Sequence, residues 1–511
     1  MWWDMMLRIP FYSPKGVVAS ETSLASVVGV KILEMGGNAV DASVATSLAL
    51  SISIPHLGGL GGDFFALIKD PQGKITFVNG SGYAPSEMTI EFIKSAGLKE
   101  VPLEGPLSIV VPGMIDGLRV MWERLGSLEW GRIVDLVISS LRGGFPITPS
   151  FATALNNLRD MLVKDEGSRK TYYNNVNYYK PGELVRFDGM IKALELIRDD
   201  PRQFYEGDIA IKISEYVRSV GGVLSYEDMR NYSAEIGEPI KLCLGDVTVY
   251  EMPPNTQGIT TLQLLKLLEE EQMAKPNSID RLRTYVNLFK IVYEIRDSYV
   301  GDPRYMSIGV DQLLSADLLR GSASGELGGH GGDGDTTYFA VVDGEGTIVS
   351  GIQSLFYPFG SKITEPTYGI TLNSRASSFN LLPNHPNSLA PLKKPLHTLS
   401  AMIVVAKDRE MALGLSGGHF RPQLHAEIFQ NIFKYRMNPQ EAIEHPRFVW
   451  YPGTNLIEFE DGFEEGVIEG QVLRKVKYPA RLGVAAIAEI KEGVKAGYVD
   501  VRGDGLALGL L

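Results

Sequence analysis

Cysteine is nearly missing from this chain of 511 residues: Cys243 is the only one. No intrachain disulfide can form, and one chain cannot assemble a thiolate metal site. Long hydrophobic runs are also lacking. The longest apolar stretch, Ala42 to Ile54, is broken by serines and by Thr46 and stops at Pro55, well short of the roughly 20 residues that a membrane span requires. The start, Met1 to Phe11, carries Trp2, Trp3, Asp4 and Arg8 but no continuous apolar segment ending in a small-residue cleavage site. The expectation is a cytoplasmic protein with no membrane partner. Basic charge is in deficit as well, 49 Lys and Arg against 61 Asp and Glu, a formal charge of -12. Phosphate binding needs a concentrated basic face, so nucleic acid is not an expected partner. His56, His385, His397 and His419 lack the short i, i+4 or Cys-paired spacing of zinc motifs, and no metal is expected. Gly59-Leu60-Gly61-Gly62 leads into a strand instead of a helix, which argues against a dinucleotide loop.

What is present describes a globular protein. The hydrophobic share is 44% and the charged share 22%, near the averages of soluble proteins, and the length allows two or three ordinary domains or one large layered domain. Val17 to Ala19 reads as a short strand. Ser23 to Met35 has helical apolar spacing and is stopped by Gly36-Gly37-Asn38. A second helix, Asp41 to Ser53, is apolar on nearly every side and belongs deep in the core. Phe64 to Ile68 and Ile75 to Val78 form a hairpin across Pro71-Gln72-Gly73-Lys74. From about 113 to 315 the pattern is mainly helical, a scaffold whose acidic run Glu269-Glu270-Glu271 reads as a solvated helix face.

From Gly321 to Asp335 seven of fifteen residues are glycine and no apolar periodicity survives, the mark of a flexible connector. Directly after it stand Thr336 to Val342, a strand in composition, then Asp343-Gly344-Glu345-Gly346 and a second strand from Thr347. A pliant segment ending at two threonines on a core strand is what a self-cleaving precursor needs, because the connector must bend until the threonine hydroxyl reaches the preceding carbonyl. Cleavage between Asp335 and Thr336 frees an α-amino group with a reference pKa of about 7.7–8.0, able to act as general base for its own side-chain hydroxyl. Pairing Val342 with Thr347 sets Thr336 opposite Gln353, and a loop one residue different sets it opposite Ser354; both stay open. Gly414 to His419, after the apolar strands Ala401 to Val405 and Met411 to Leu415, offers backbone N–H groups that could meet an oxyanion, although a plain tight turn is the stronger reading of those residues by themselves.

The runs Gly334-Asp335-Thr336-Thr337-Tyr338, Asp343-Gly344-Glu345-Gly346, Phe359-Gly360-Ser361 and Gly369-Ile370-Thr371-Leu372-Asn373 resemble the small-subunit half of the γ-glutamyltranspeptidases. Gly36 to Ala42, Gly58 to Gly62, Lys394-Pro395-Leu396 and Arg502-Gly503-Asp504-Gly505 agree in the same order. The resemblance implies an α+β, four-layer αββα N-terminal nucleophile hydrolase sandwich with a large helical insertion. It also implies a large subunit, 1–335, and a small subunit, 336–511, that stay together as a heterodimer and open the way to a dimer of heterodimers. Thr336 is then the nucleophile, Ser354 its hydroxyl neighbour, and Gly417 with Gly418 the oxyanion hole. No metal or organic cofactor is implied.

The departures from that pattern bear on the substrate. Ser81 stands where the family carries an arginine for the α-carboxylate. Phe356 replaces an asparagine, Arg375 and Ser378 replace the glutamine and aspartate that receive the ammonium, and His397-Thr398 replace paired serines. Exchanging acceptors for a cation reverses the preferred ligand charge. With Asn384-His385-Pro386-Asn387, these residues resemble the branch that includes oxamate amidohydrolase and cephalosporin-acylase-type enzymes. The expected substrate is a small amide bearing a carboxylate, held by Arg375 in bidentate geometry, unless Arg375 sits in an internal ion pair. Hydrolysis is favoured over transfer because nothing identifies an acceptor site. The alternatives are a true γ-glutamyltransferase or glutathione hydrolase, and an uncleaved homologue that acts as a binding protein.

Overall fold

Period-two alternation sorts the strands into layers. Along Asp335–Val342, Phe339 and Val341 enter one apolar cluster while Tyr338, Ala340 and Val342 enter another. Both faces are buried, which is why the segment reads as an unbroken apolar run. The structure, a computed structural model, describes residues 7–174, 176–321 and 335–511. The connector expected over 321–335 falls on residues 322–334, outside the described residues.

Two seven-stranded sheets form the centre. One runs Leu506–Gly509, Val17–Ser20, Asp335–Val342, Ile348–Phe356, Asp63–Lys69, Ile75–Gly80, Glu235–Gly237; the other runs Phe11–Ser13, Val494–Val499, Ala485–Lys491, Arg409–Leu415, Met402–Ala406, Val247–Glu251, Ile240–Leu244. Every neighbouring pair in both is antiparallel. Their inner faces share one cluster, with Phe65, Leu67 and Ile352 from the first and Ile403, Ala412 and Ala488 from the second. The sheets approach so closely that a Cβ on Gly414 would lie 2.2 Å from the Tyr338 ring, so only glycine fits there.

Helices cover both outer faces, giving the αββα order. Against the first sheet lie Ser23–Glu34 and Ala39–Ser53. The Thr22 hydroxyl caps the first by accepting from Ala25 N at 3.2 Å. A capping box starts the second: Asn38 Oδ1 accepts from Val40 N and Asp41 N, and Asn38 N donates to Asp41. All fifteen residues of that helix are buried, as its uniform apolar composition requires. Gly258–Glu270, Ile279–Tyr299 and Arg421–Phe433 cover the second sheet. The span 113–315 is helical as far as Arg230 apart from the pair of two-residue strands Phe145–Pro146 and Leu184–Val185, but then supplies Glu235–Gly237, Ile240–Leu244 and Val247–Glu251 to the two sheets. Those strands are short and amphipathic, so helical periodicity in their neighbours hid them. No helix among the described residues is long and apolar enough to cross a membrane.

Candidate active site

Register decides which side chain meets Thr336. The hairpin pairs Val342 with Ile348 and Thr337 with Gln353, then bulges before Asp335 pairs with Phe356. Thr336, 1% exposed, sits in the bulge with its Oγ1 donating to Ser354 Oγ at 3.3 Å. Gln353 points into the helix layer instead, bonded to Ser47, Ser51 and Gly58. Of the two registers left open by the sequence, the Ser354 alternative is the one formed. Ser354 Oγ also accepts from Phe356 N at 2.7 Å. That bond holds Phe356 at φ 88, a left-handed conformation that side chains with a Cβ rarely adopt and that marks stored strain.

The Phe356 ring supports the guanidinium of Arg375, whose Cζ lies 4.0 Å from the ring centroid. Arg375 Nε donates to Asp63 Oδ2 at 3.3 Å and Nη1 to Thr398 Oγ1 at 3.0 Å, while Nη2 has no partner among the described residues. Asp63 faces Ser354 across the ladder. Its Oδ1 accepts from Gly82 N at 3.1 Å and its Oδ2 meets His397 Nε2 at 3.0 Å. Because Leu399 N donates to His397 Nδ1 at 3.1 Å, the imidazole carries its proton on Nε2 and donates it to Asp63. Arg375, Asp63 and His397 are fully buried. Burial brings Arg375 down to about 10 against the opposing pull of Asp63. Burial, reinforced by Arg375, drives His397 down to about 3.

Burial also pushes His445 down to about 3 and holds His56 and His425 well below their ordinary value. Such a histidine is neutral in the fold but takes up a proton on unfolding once the pH falls below about 6.5. The unfolded state then binds more protons, so stability is lost as pH falls from about 6.5 toward about 3, at up to about 1.4 kcal/mol per unit for each histidine. Glu427, raised to about 8 by burial, and Glu251, raised well above its ordinary value, act in the opposite direction. The histidine contribution is therefore read by difference: His445→Gln is expected to lose less of its denaturant midpoint than the parent between about pH 7 and about pH 5.5.

Ser81 is buried beside this cluster, its Oγ accepting from Asn255 Nδ2 at 3.1 Å. Ser378 ends the short 3-10 helix Arg375–Ser378 with a buried Oγ that has no partner among the described residues. Asn384 to Asn387 acts at one remove. His385 Nδ1 accepts from Asn387 N and Asn387 Oδ1 from Leu396 N, bracing the loop that leads to His397. The Gly417-Gly418 turn follows the strand Arg409–Leu415, with φ 146 and 48 at the two glycines. Neither N–H meets an acceptor among the described residues. The Phe356 and His419 rings meet edge to face, with centroids 6.2 Å apart, bringing the turn to the same end of the sandwich as Thr336.

Sequence reasoning does not mark Asp63, although an acid placed between a glycine turn and the apolar run Phe64 to Ile68 is a signal for a paired buried charge. It also passes over Gln257. That residue stands at the N-terminal boundary of the helix Gly258–Glu270 without a side-chain cap bond, and nothing in its local sequence sets it apart.

Known proteins resemble this chain along almost its whole length. The family profile of Gamma-glutamyltranspeptidase matches residues 25–510. The chain is 32% identical to the glutathione hydrolase-like YwrD proenzyme of Bacillus subtilis, over 97% of this chain and 98% of that one. It is 30% identical to the oxamate amidohydrolase proenzyme of Klebsiella pneumoniae, over 97% and 99%. Among solved structures, a cephalosporin acylase from Bacillus halodurans superposes with a TM-score of 0.91 at 30% identity, covering 99% of this chain and 97% of that one. The fold is that of the N-terminal nucleophile hydrolases, and the chain belongs to the γ-glutamyltranspeptidase family.

Proposed function

We propose that this chain cuts itself between Asp335 and Thr336 and then hydrolyses a small carboxylate-bearing amide through an acyl-enzyme on Thr336. The observation that carries the reading is the Thr336 Oγ1 to Ser354 Oγ contact at the strand end that follows the glycine-rich connector. In maturation the Thr336 hydroxyl attacks the Asp335 carbonyl carbon, the peptide C–N bond breaks to an ester, and water releases the Asp335 carboxylate and a free Thr336 amine. The fragments 1–335 and 336–511 remain joined because Asp335–Val342 is hydrogen-bonded to Val17–Ser20 and Ile348–Phe356 to Asp63–Lys69.

In turnover the Thr336 amine takes the hydroxyl proton while Oγ1 attacks the amide carbon, and the Gly417 and Gly418 N–H groups receive the developing oxyanion. The C–N bond breaks, the leaving amine takes the proton, and water hydrolyses the ester to free the acid. Ser354 steadies the nucleophile by hydrogen bonding. Mass spectrometry of active material is expected to give two fragments, the smaller beginning at Thr336. Active preparations holding only the intact polypeptide would overturn the reading.

Arg375 Nη2 supplies the charge for the substrate carboxylate, with Ser378, His397, Thr398, Ser81 and Phe356 shaping its surroundings. Since Nε and Nη1 are engaged by Asp63 and Thr398, the carboxylate meets one nitrogen, not the bidentate fork expected from sequence. A hydrogen bond to a charged group contributes about 1.5–3 kcal/mol, so Arg375→Gln is expected to cost about tenfold or more in kcat/KM on acidic amides beyond its loss on neutral ones. Equal losses on both sets remove the carboxylate role. Faster turnover of γ-glutamyl anilides than of simple N-acyl amides would favour a γ-glutamyltransferase.

A further inference from the structure

The Gly417-Gly418 turn is held from behind through carbonyl groups, and the side chain that holds the Gly418 carbonyl is Gln257. Fully buried, Gln257 donates from Nε2 to Gly418 O at 2.7 Å and to Thr398 O at 2.8 Å, and its Oε1 accepts from Arg296 Nη1 at 3.1 Å. Only one orientation of the amide fits. Exchanging its oxygen and nitrogen would set a carbonyl against two carbonyls and an NH2 group against a guanidinium. Arg296 is itself fixed, its Nε donating to Asp297 Oδ1 at 2.7 Å and its Cζ lying 4.3 Å from the Tyr293 ring centroid.

Three further carbonyls around the turn are engaged, those of Leu415, Gly417 and His419. Tyr293 Oη donates to His419 O, Phe420 N donates to Gly417 O at 2.8 Å, and Arg421 Nε donates to Leu415 O at 2.8 Å. In a planar trans peptide the C=O and N–H of one unit point in opposite directions. The bond at Gly417 O therefore aims the Gly418 N–H, and anchoring Gly418 O fixes the plane that follows. Thr398, the other group held by Gln257, carries the hydroxyl that receives Arg375 Nη1. One amide thus ties the Gly418 carbonyl, in the peptide unit directly after the one that carries the Gly418 N–H, to the backbone of Thr398.

We infer that Gln257, oriented by Arg296, is a positioning residue that holds the Gly417-Gly418 oxyanion turn in register with Thr398. The inference rests on the proposed function. An oxyanion stabiliser works only where its donors are preorganised at the position the charge will occupy, and loss of one donor costs about 10²–10³ in kcat. A donor displaced but not removed should cost somewhat less.

The test uses the matured enzyme. Gln257→Met, similar in length and apolar, is expected to mature and to lose about 30- to 100-fold in kcat with KM moved less than about threefold, since ground-state contacts survive and transition-state contacts do not. Arg296→Met, which frees the amide to rotate, is expected to lower kcat in the same way, and Arg296→Lys to restore most of it. A Gln257→Met enzyme with kcat within about threefold of the parent, or one that loses through KM alone, overturns the inference. If Gln257→Met does not fold, equal kcat for Arg296→Met, Arg296→Lys and the parent overturns it. Failure of the underlying reading appears elsewhere, as turnover by a Thr336→Ala chain.

Discussion

Thr336→Ala is expected to remain a single uncut chain and to lose about 10⁴-fold or more of its amide-hydrolysing activity, the scale seen when a covalent nucleophile is removed. The two losses are expected together because the proposed mechanism gives one hydroxyl both reactions. In the proposed mechanism it attacks the Asp335 carbonyl in the precursor, and the substrate carbonyl once its own amine is free to take the proton. Thr336→Ser keeps the hydroxyl and its reach to Ser354 Oγ, so it should still cleave, more slowly. Gel electrophoresis with N-terminal sequencing reads the first effect and amide hydrolysis the second. An uncut Thr336→Ala chain with parental turnover would leave Thr336 no part in the chemistry.

Asp63→Ala is expected to cost about 3–5 kcal/mol of stability, the range for removing one partner of a buried ion pair. Asp63 is fully buried and accepts from Arg375 Nε, His397 Nε2 and Gly82 N. Without it the guanidinium keeps its charge in an apolar surrounding, and the His397 proton loses its acceptor. Adding Arg375→Met to Asp63→Ala removes the stranded charge and should recover most of the loss, since replacing both members of a buried pair is often nearly neutral. Denaturant midpoints of the two variants, measured in the uncut Thr336→Ala background, separate the outcomes. An Asp63→Ala protein within about 1 kcal/mol of its parent would show that Asp63 is not what balances Arg375.

Local patterns carry much of the fold. The uniformly apolar helix Ala39–Ser53, the hairpin of Asp63–Lys69 with Ile75–Gly80 and the strand Asp335–Val342 are legible because each is defined by spacing along a few residues. Thr336, Gly417 and Gly418 stand out for the same reason: a threonine after a glycine connector and a glycine pair after a strand are local arrangements. Ile240–Leu244 and Val247–Glu251 escape such reading, because short half-buried strands beside long helices leave too little periodicity to separate them.

The amino-acid sequence by itself determined the buried helix, hairpin and strand at the heart of the first sheet, which threonine follows the connector, and which residues depart from the family pattern. Tertiary structure alone decided that Ser354 and not Gln353 meets Thr336, since a shift of one residue in pairing exchanges the two faces of a strand. It alone decided that Arg375 shares its charge with Asp63, 312 positions away. It alone placed Gln257 behind the Gly417-Gly418 turn. Chain spacing reports only neighbours along the backbone, whereas the charge balance of a buried group and the aim of a peptide N–H depend on whatever atoms the fold sets beside them.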